Sequence, residues 1–150
     1  MGGYRKAVFV IVYKKKEGRT LYLLLKRKWH WKGWEFPKGG IKEKENLFKA
    51  VKREIMEETG NRAFKIKKFD IRGRYKYRKN LTDRPGYAGQ EWRLFSAQIL
   101  GKKIKIDRQE HSAFCWLEFE KAFRMLRFPN QKRCLKIVEK NIKRVNKNEN

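Results

Sequence analysis

The sequence predicts one mixed α/β domain, and three observations point there. Short runs rich in Val, Ile, Leu, Phe and Tyr recur along the chain at strand length. One central segment, residues 45–60, has helical periodicity and ends in glycine, and two more helical segments close the chain. No repeat and no linker interrupts the 150 residues, a length that suits a single domain with a real core.

Residues 4–14, including the apolar run from Ala7 to Tyr13, read as a first strand. Lys15, Lys16, Glu17, Gly18 and Arg19 form a turn into a second, buried strand at 20–26. Residues 29–40 read as a loop punctuated by Gly33, Pro37, Gly39 and Gly40. The helix spans 45–59, with Gly60 as its C-terminal cap. Residues 63–78 alternate apolar and basic side chains, as a half-exposed strand or bent pair of strands does. A polar loop at 80–89 leads to a strand at 91–100, a short strand at 104–106 and a final one at 114–117. Helices follow at 119–126 and 130–144, parted at Phe128-Pro129, and the tail at 146–150 is expected to fray.

Composition narrows the class. Apolar residues at 40% and aromatics at 14% argue against disorder. No apolar run is long enough for a membrane-spanning helix, and the N-terminus lacks a secretory apolar region. Met1-Gly2 opens like a myristoylation signal, but Lys6 stands where that signal wants Ser or Thr. Cys115 and Cys134 have no metal-ligand spacing and read as ordinary buried or half-buried thiols. A cytoplasmic protein with no membrane association and no obligatory protein partner is expected. The net charge of +25 attracts polyanions, and polyphosphates or nucleic acid are the partners it suits. The same charge, spread along the chain, is also what a solvated Lys-rich surface looks like.

The central helix carries an anomaly. At about 100° per residue, Leu47, Phe48, Ala50, Val51 and Ile55 share one arc, with Lys49, Lys52 and Met56 mostly opposite. Glu54 and Glu58 fall inside the apolar arc and Glu57 at its edge, where an amphipathic helix places no carboxylates. Glu54 and Glu58 also repel each other at i,i+4. Arginine or lysine would compensate such charges, but a hard divalent cation suits them better, because Mg²⁺ takes a few carboxylates together with substrate phosphates. Just upstream, Pro37-Lys38-Gly39-Gly40 offers a basic side chain and two glycines that let backbone approach a metal or phosphate closely. The Gly-Lys-Ser/Thr ending of a P-loop is absent.

Gly39, five residues, Glu45, seven residues, Arg53-Glu54-Ile55, one residue, Glu57-Glu58, one residue and Gly60 together resemble the Nudix box. Every fixed polar or glycine position is met; Asn61 departs from it, standing where the family wants an aliphatic residue. The resemblance implies an α/β/α sandwich with a mixed sheet and a loop–helix–loop metal site. It implies Glu54 and Glu58 as Mg²⁺ ligands, Mn²⁺ being a substitute, with the Gly39 carbonyl nearby. Glu57 becomes a further ligand, directly or through water, and a candidate base. Arg53 orients the carboxylates, and Glu45 is structural or lies further from the metal. The implied reaction is in-line attack of water on phosphorus.

Flanking stretches bear on the substrate. Gly33-Trp34-Glu35-Phe36-Pro37-Lys38-Gly39 resembles the Trp-x-x-Pro-Lys-Gly lead of diadenosine tetraphosphate hydrolases. Residues 110–117, followed by Glu120-Lys121-Ala122, are similar to the stretch before those enzymes' closing helices. On that resemblance Glu110 completes the metal site or acts as base, and Lys38 binds phosphate. His111 either contacts phosphate or is a plain loop histidine. Tyr75, Tyr77 and Tyr87 are candidates to stack on adenine, Tyr77 and Tyr87 foremost, whereas Trp34 and Trp92 read as anchors. The expected reaction is diadenosine tetraphosphate to AMP and ATP. A rival is hydrolysis at an RNA 5′ end: Gly39-Gly40-Ile41 and Gln90-Glu91-Trp92 also resemble bacterial RNA pyrophosphohydrolases, which carry Gln in place of Lys38. A second rival is a non-catalytic module that binds nucleotides or RNA, for which the costly set Glu54, Glu57 and Glu58 has no use.

Overall fold

In the computed structural model the described residues are 3–29, 32–77 and 86–149. Strand β1 (Tyr4–Lys16) alternates its side chains between two cores, because successive side chains of a strand point to opposite faces. Ala7, Phe9, Ile11 and Tyr13 enter one core, and Val8, Val10 and Val12 the other. Strand β2 (Arg19–Arg27) does the same, with Tyr22 and Leu24 against Leu23 and Leu25. Glu17 and Gly18, both at positive φ, turn the chain between these strands.

Seven strands among the described residues make one mixed sheet. Its path is β3 (Trp34–Glu35), β2, β1, β6 (Gly89–Gln98) and β5 (Phe64–Lys76). Strand β4 (Lys38–Gly40) pairs β1, and β7 (His111–Leu117) pairs β2. Only β1 and β6 run parallel, from Tyr4 opposite Gly89 to Tyr13 opposite Gln98. On one face lies helix α1 (Leu47–Thr59), contributing Ala50, Val51 and Ile55. On the other lie α2 (Phe119–Met125) and α3 (Pro129–Glu149), contributing Ala122, Cys134, Leu135, Val138 and Ile142. The result is the expected α/β/α layering. The Tyr22 hydroxyl donates to Glu139 at 2.7 Å and ties α3 to the sheet.

Several expectations are corrected. The supposed loop at 29–40 contains β3 and β4, fixed by pairing with β2 and β1. The strand expected at 104–106 is not formed. Ile104 and Ile106 pack beside α1 instead, and the Lys105 amide donates to the Thr59 carbonyl. The tail expected to fray is helical through Glu149. Phe48, placed on the inward arc, is 44% exposed and meets Phe95 edge to face. Of the polar loop at 80–89, residues 80–85 lie outside the described residues. Cys134 is buried and Cys115 half-buried, both as free thiols. No helix among the described residues is long and apolar enough to cross a membrane.

Candidate active site

Two local devices fix α1. The Asn46 side chain accepts the Lys49 amide at 2.9 Å, capping the first turn two residues later than expected. Gly60, at φ 73°, ends the helix by donating its amide to the Met56 carbonyl. Asn61, the residue off the family pattern, donates from Nδ2 to the carbonyls of Thr59 and Lys103 and accepts the Gly101 amide. It laces the helix end to the following turn, so a polar bridge replaces the aliphatic contact.

The register of β1 with β4 sets Gly39 opposite Val8 and delivers its backbone to the helix. A Cβ on Gly39 would stand 2.0 Å from the Glu54 carboxyl carbon, so only glycine leaves that carboxylate its place. Arg53 is the hub of the cluster. Its Nε and Nη2 donate to both Glu45 oxygens at 2.8 Å, Nη2 also to the Gly40 carbonyl at 2.8 Å, and Nη1 to Glu54 at 2.8 Å. Glu57, exposed at the edge, receives longer bonds of 3.4 and 3.5 Å. The hydrogen bonds to Glu45 push the Arg53 pKa up, and those from Arg53 hold Glu45 down at about 2.

Glu54 and Glu58 are both buried, as their helical angles require. Burial raises the pKa of each. At Glu58, pushed well above the ordinary carboxylate range, the charges of Glu54, Glu35 and Glu110 act in the same sense, and only Lys38 among the leading influences opposes them. Glu58 Oε2 is buried and meets no hydrogen-bond donor among the described residues. Among the described residues no group of three His, Cys, Asp or Glu side chains stands ready to hold an ion. Arg53 draws Glu54 and Glu57 towards itself, so a cation held by these carboxylates would have to compete with that guanidinium. An uncompensated buried carboxylate and the glycine-lined approach to Glu54 nonetheless fit a hard divalent cation.

Glu35 is a member of the cluster that sequence reasoning missed. It is 3% exposed and accepts from Arg27 Nη1 at 3.0 and 3.2 Å, with Lys38 Nζ at 3.5 Å. Burial alone would raise its pKa; the bond from His111, with the charges of Lys38 and Arg27, holds it below the ordinary value. His111 is corrected: it is neither a loop histidine nor open to a phosphate. It begins β7, is 3% exposed, and sets Nε2 against Glu35 at 2.9 Å. Glu110 is exposed on the preceding turn, close enough for its charge to reach Glu58. Arg5 was also missed. Its guanidinium packs over Gly40, donates to Gln90 Oε1 at 2.9 Å, and its charge reaches Glu54. Tyr77 joins the same Gln90 oxygen at 3.4 Å and meets Tyr75 edge to face. Tyr87 is 44% exposed near this end of β6. Trp92 is buried against Phe9 and over Gly73, as an anchor should be.

A sandwich whose inner helix turns carboxylates towards a glycine-rich strand end defines a class, and comparison with known proteins agrees. Residues 3–138 match the family model described as NUDIX domain, and the chain belongs to the Nudix family. A protein of Actinobacillus pleuropneumoniae serotype 3 named RNA pyrophosphohydrolase is 31% identical over 134 residues, covering 78% of this chain and 61% of that protein. A Yersinia pestis protein of the same name is 31% identical over 121 residues, covering 73% and 64%. The chain thus spans about three fifths of the length of the curated relatives it matches. Among solved structures, an Ap4A hydrolase binary complex from C. elegans superposes with a TM-score of 0.75 at 20% identity, over 92% of this chain and 97% of that one. Likeness at that identity speaks for the fold alone.

Proposed function

We propose that this chain hydrolyses a pyrophosphate bond at the 5′-phosphorylated end of RNA, with a divalent cation such as Mg²⁺, or Mn²⁺ in its place. The observation that carries the metal is Glu58, a buried carboxylate that feels the charges of Glu54, Glu35 and Glu110 and has one oxygen that meets no donor among the described residues. The RNA end is supported by the +25 charge and by the name of the 31%-identical relatives. Glu54 and Glu58 are the residues that would hold the cation, together with the Gly39 carbonyl, and Glu57 would add a further carboxylate directly or through water. When bound, the cation neutralises phosphate oxygens and lowers the pKa of a coordinated water.

The protein's own groups do the positioning. Arg53 keeps the α1 carboxylates aligned, and Lys38 at the start of β4 binds a phosphate oxygen. Glu57 or Glu110 takes the proton of the attacking water as its oxygen bonds to phosphorus. The bridging P–O bond breaks, and the departing phosphate keeps the electron pair. His111 acts through Glu35, which it holds next to Lys38. A cytoplasmic location and the absence of an obligatory protein partner go with this reading.

A second reading, diadenosine tetraphosphate to AMP and ATP, is favoured by Lys38 within the Trp34–Gly39 lead, with Tyr77 or Tyr87 stacking on adenine. A panel of 5′-triphosphorylated RNA, dinucleoside polyphosphates, ADP-ribose and nucleoside triphosphates with Mg²⁺ separates the two. Preferred turnover of the RNA supports the first reading and early AMP plus ATP the second. Binding without metal-dependent turnover of any substrate leaves a non-catalytic module.

A further inference from the structure

A cavity of about 160 Å³ lies across the sheet from α1, under the last turns of α3. Strand β6 shows why it is polar. Its side chains on the α3 side begin as core, with Trp92 and Leu94, and then turn polar at Ser96 and Gln98. Above these, α3 sets Asn141 and Asn146 where its earlier turns set Leu135 and Val138. Strand β5 adds cations through an irregularity. Phe64 stands opposite Gln98 and Lys67 opposite Ser96, so β5 carries one more residue than β6 over this stretch. Without it Ile66 would stand opposite Ser96; the slip sends Ile66 to the α1 core and Lys67 to the α3 side. Lys65, inside the irregularity, takes φ 50°, a conformation that residues other than glycine seldom adopt, and also lines the cavity. Lys15, whose ammonium donates to the Thr20 hydroxyl at 2.8 Å, is the third exposed lysine around this space. Among the described residues no carboxylate lines it. Ser96 is 3% exposed, and Gln98 Oε1 is buried and meets no donor among the described residues.

We propose that this cavity binds a free phosphate-class oxyanion, inorganic phosphate being the simplest, at a site separate from the α1 carboxylates. The volume sets the size. One water needs roughly 10–15 Å³ of such space and a drug-sized ligand roughly 300–1,000 Å³, so several waters or one small ion fit and a nucleoside does not. The charge sets the sign, since three lysines with no carboxylate among them attract an anion. The polar groups set the chemistry. The Ser96 hydroxyl and the amides of Asn141 and Asn146 can donate to an oxyanion, as the lysines do. Gln98 Oε1 has the opposite need, a donor. Phosphate at neutral pH still carries an O–H, and sulfate carries none. A buried acceptor left unmet is costly, so this oxygen favours the protonated anion. Binding here is independent of the chemistry at α1.

The test is a ¹H–¹⁵N NMR titration of the whole chain in EDTA at neutral pH, with potassium phosphate, sulfate and chloride at matched ionic strength. Phosphate should move the amides of residues 65–67, 96–98 and 141–146 along one saturable curve, and chloride should leave them in place. Shifts around Lys38 report the α1 site and are fitted separately. Lys67→Gln should raise Kd for phosphate roughly tenfold, the order of one charged hydrogen bond. Sulfate should bind roughly fivefold more weakly than phosphate, the order of one neutral hydrogen bond. Gln98→Met removes the acceptor and should bring the two anions to the same affinity. Thermal melts check folding; should Lys67→Gln unfold, Ser96→Ala carries the test, with a weaker phosphate affinity expected. Shifts that chloride reproduces, or that grow without saturating, would overturn the site and leave a water-filled cavity under solvated lysines. So would phosphate affinities in Lys67→Gln and Ser96→Ala equal to that of the wild type. Sulfate binding as tightly as phosphate would overturn the choice of a protonated anion. An oligoribonucleotide with a 5′-hydroxyl that moves the same amides at lower concentration than phosphate would also overturn it, because its diester oxygens carry no proton and mark a nucleic-acid contact instead.

Discussion

Glu58 keeps one carboxylate oxygen buried and without a donor among the described residues, an arrangement that costs stability unless something else pairs with it. Glu58→Gln therefore should leave the melting temperature in EDTA unchanged or raise it; a fall of several degrees would show that the charge itself stabilises the metal-free fold. Glu45 has the opposite sense. Its folded pKa of about 2 lies below the ordinary value near 4.3. The stability from its pairing with Arg53 is in place above about pH 4.3 and lost as pH falls through 2. Glu45→Gln should lower the melting temperature at pH 7, and the gap to wild type should narrow between pH 4 and 2. An equal gap at both ends of that range would contradict the assignment. At this scale the sequence was informative wherever roles follow from one helix: the angles of Glu54 and Glu58 alone turn them inward. Glu35 and Arg5 were invisible because their roles come from distant pairings. Arg5 reaches Gly40 and Gln90 across the sheet, and 41 basic residues give no ground for choosing it. His111 was misread for the same reason, since its partner Glu35 lies 76 positions away.

At the scale of elements, the close approach of β4 to α1 makes the cluster. Gly39→Ala puts a Cβ where the Glu54 carboxylate sits. That carboxylate is the far end of a flexible side chain and swings aside cheaply, so the fold should survive with a change below about 1 kcal/mol. Turnover should fall at least tenfold and the Mg²⁺ concentration for half-maximal rate should rise, because about 1 Å of misplacement costs on the order of a hundredfold. Melts and a Mg²⁺ titration check this; full activity at ordinary Mg²⁺ would remove Gly39 from the site. The long strands and all three helices were legible because periodicity repeats over many residues. Strands β3 and β4, of two and three residues, have no period to read and exist only through their partners. Ile104 and Ile106 have a strand's alternation, but packing beside α1 takes the place of sheet pairing.

For the molecule as a whole, the +25 charge sets how polyphosphates arrive. If it steers them, kcat/KM should fall steeply with ionic strength while kcat changes little. A salt-independent kcat/KM, measured where encounter limits, would reduce the charge to a solubilising surface. The layering, the mixed sheet and the family were all readable from one long motif, whereas the cavity under α3 was not, because four separate segments build it. On the proposed function the α1 carboxylates make a metal-dependent pyrophosphohydrolase of this chain. The direct measurement is the initial rate on 5′-triphosphorylated RNA with Mg²⁺ and with EDTA, for wild type and Glu58→Gln, products resolved by chromatography. The wild type should release phosphate or pyrophosphate only with Mg²⁺, at a rate at least a hundredfold above that of the variant. A Glu58→Gln rate near wild type, or wild-type turnover that persists in EDTA, would contradict it.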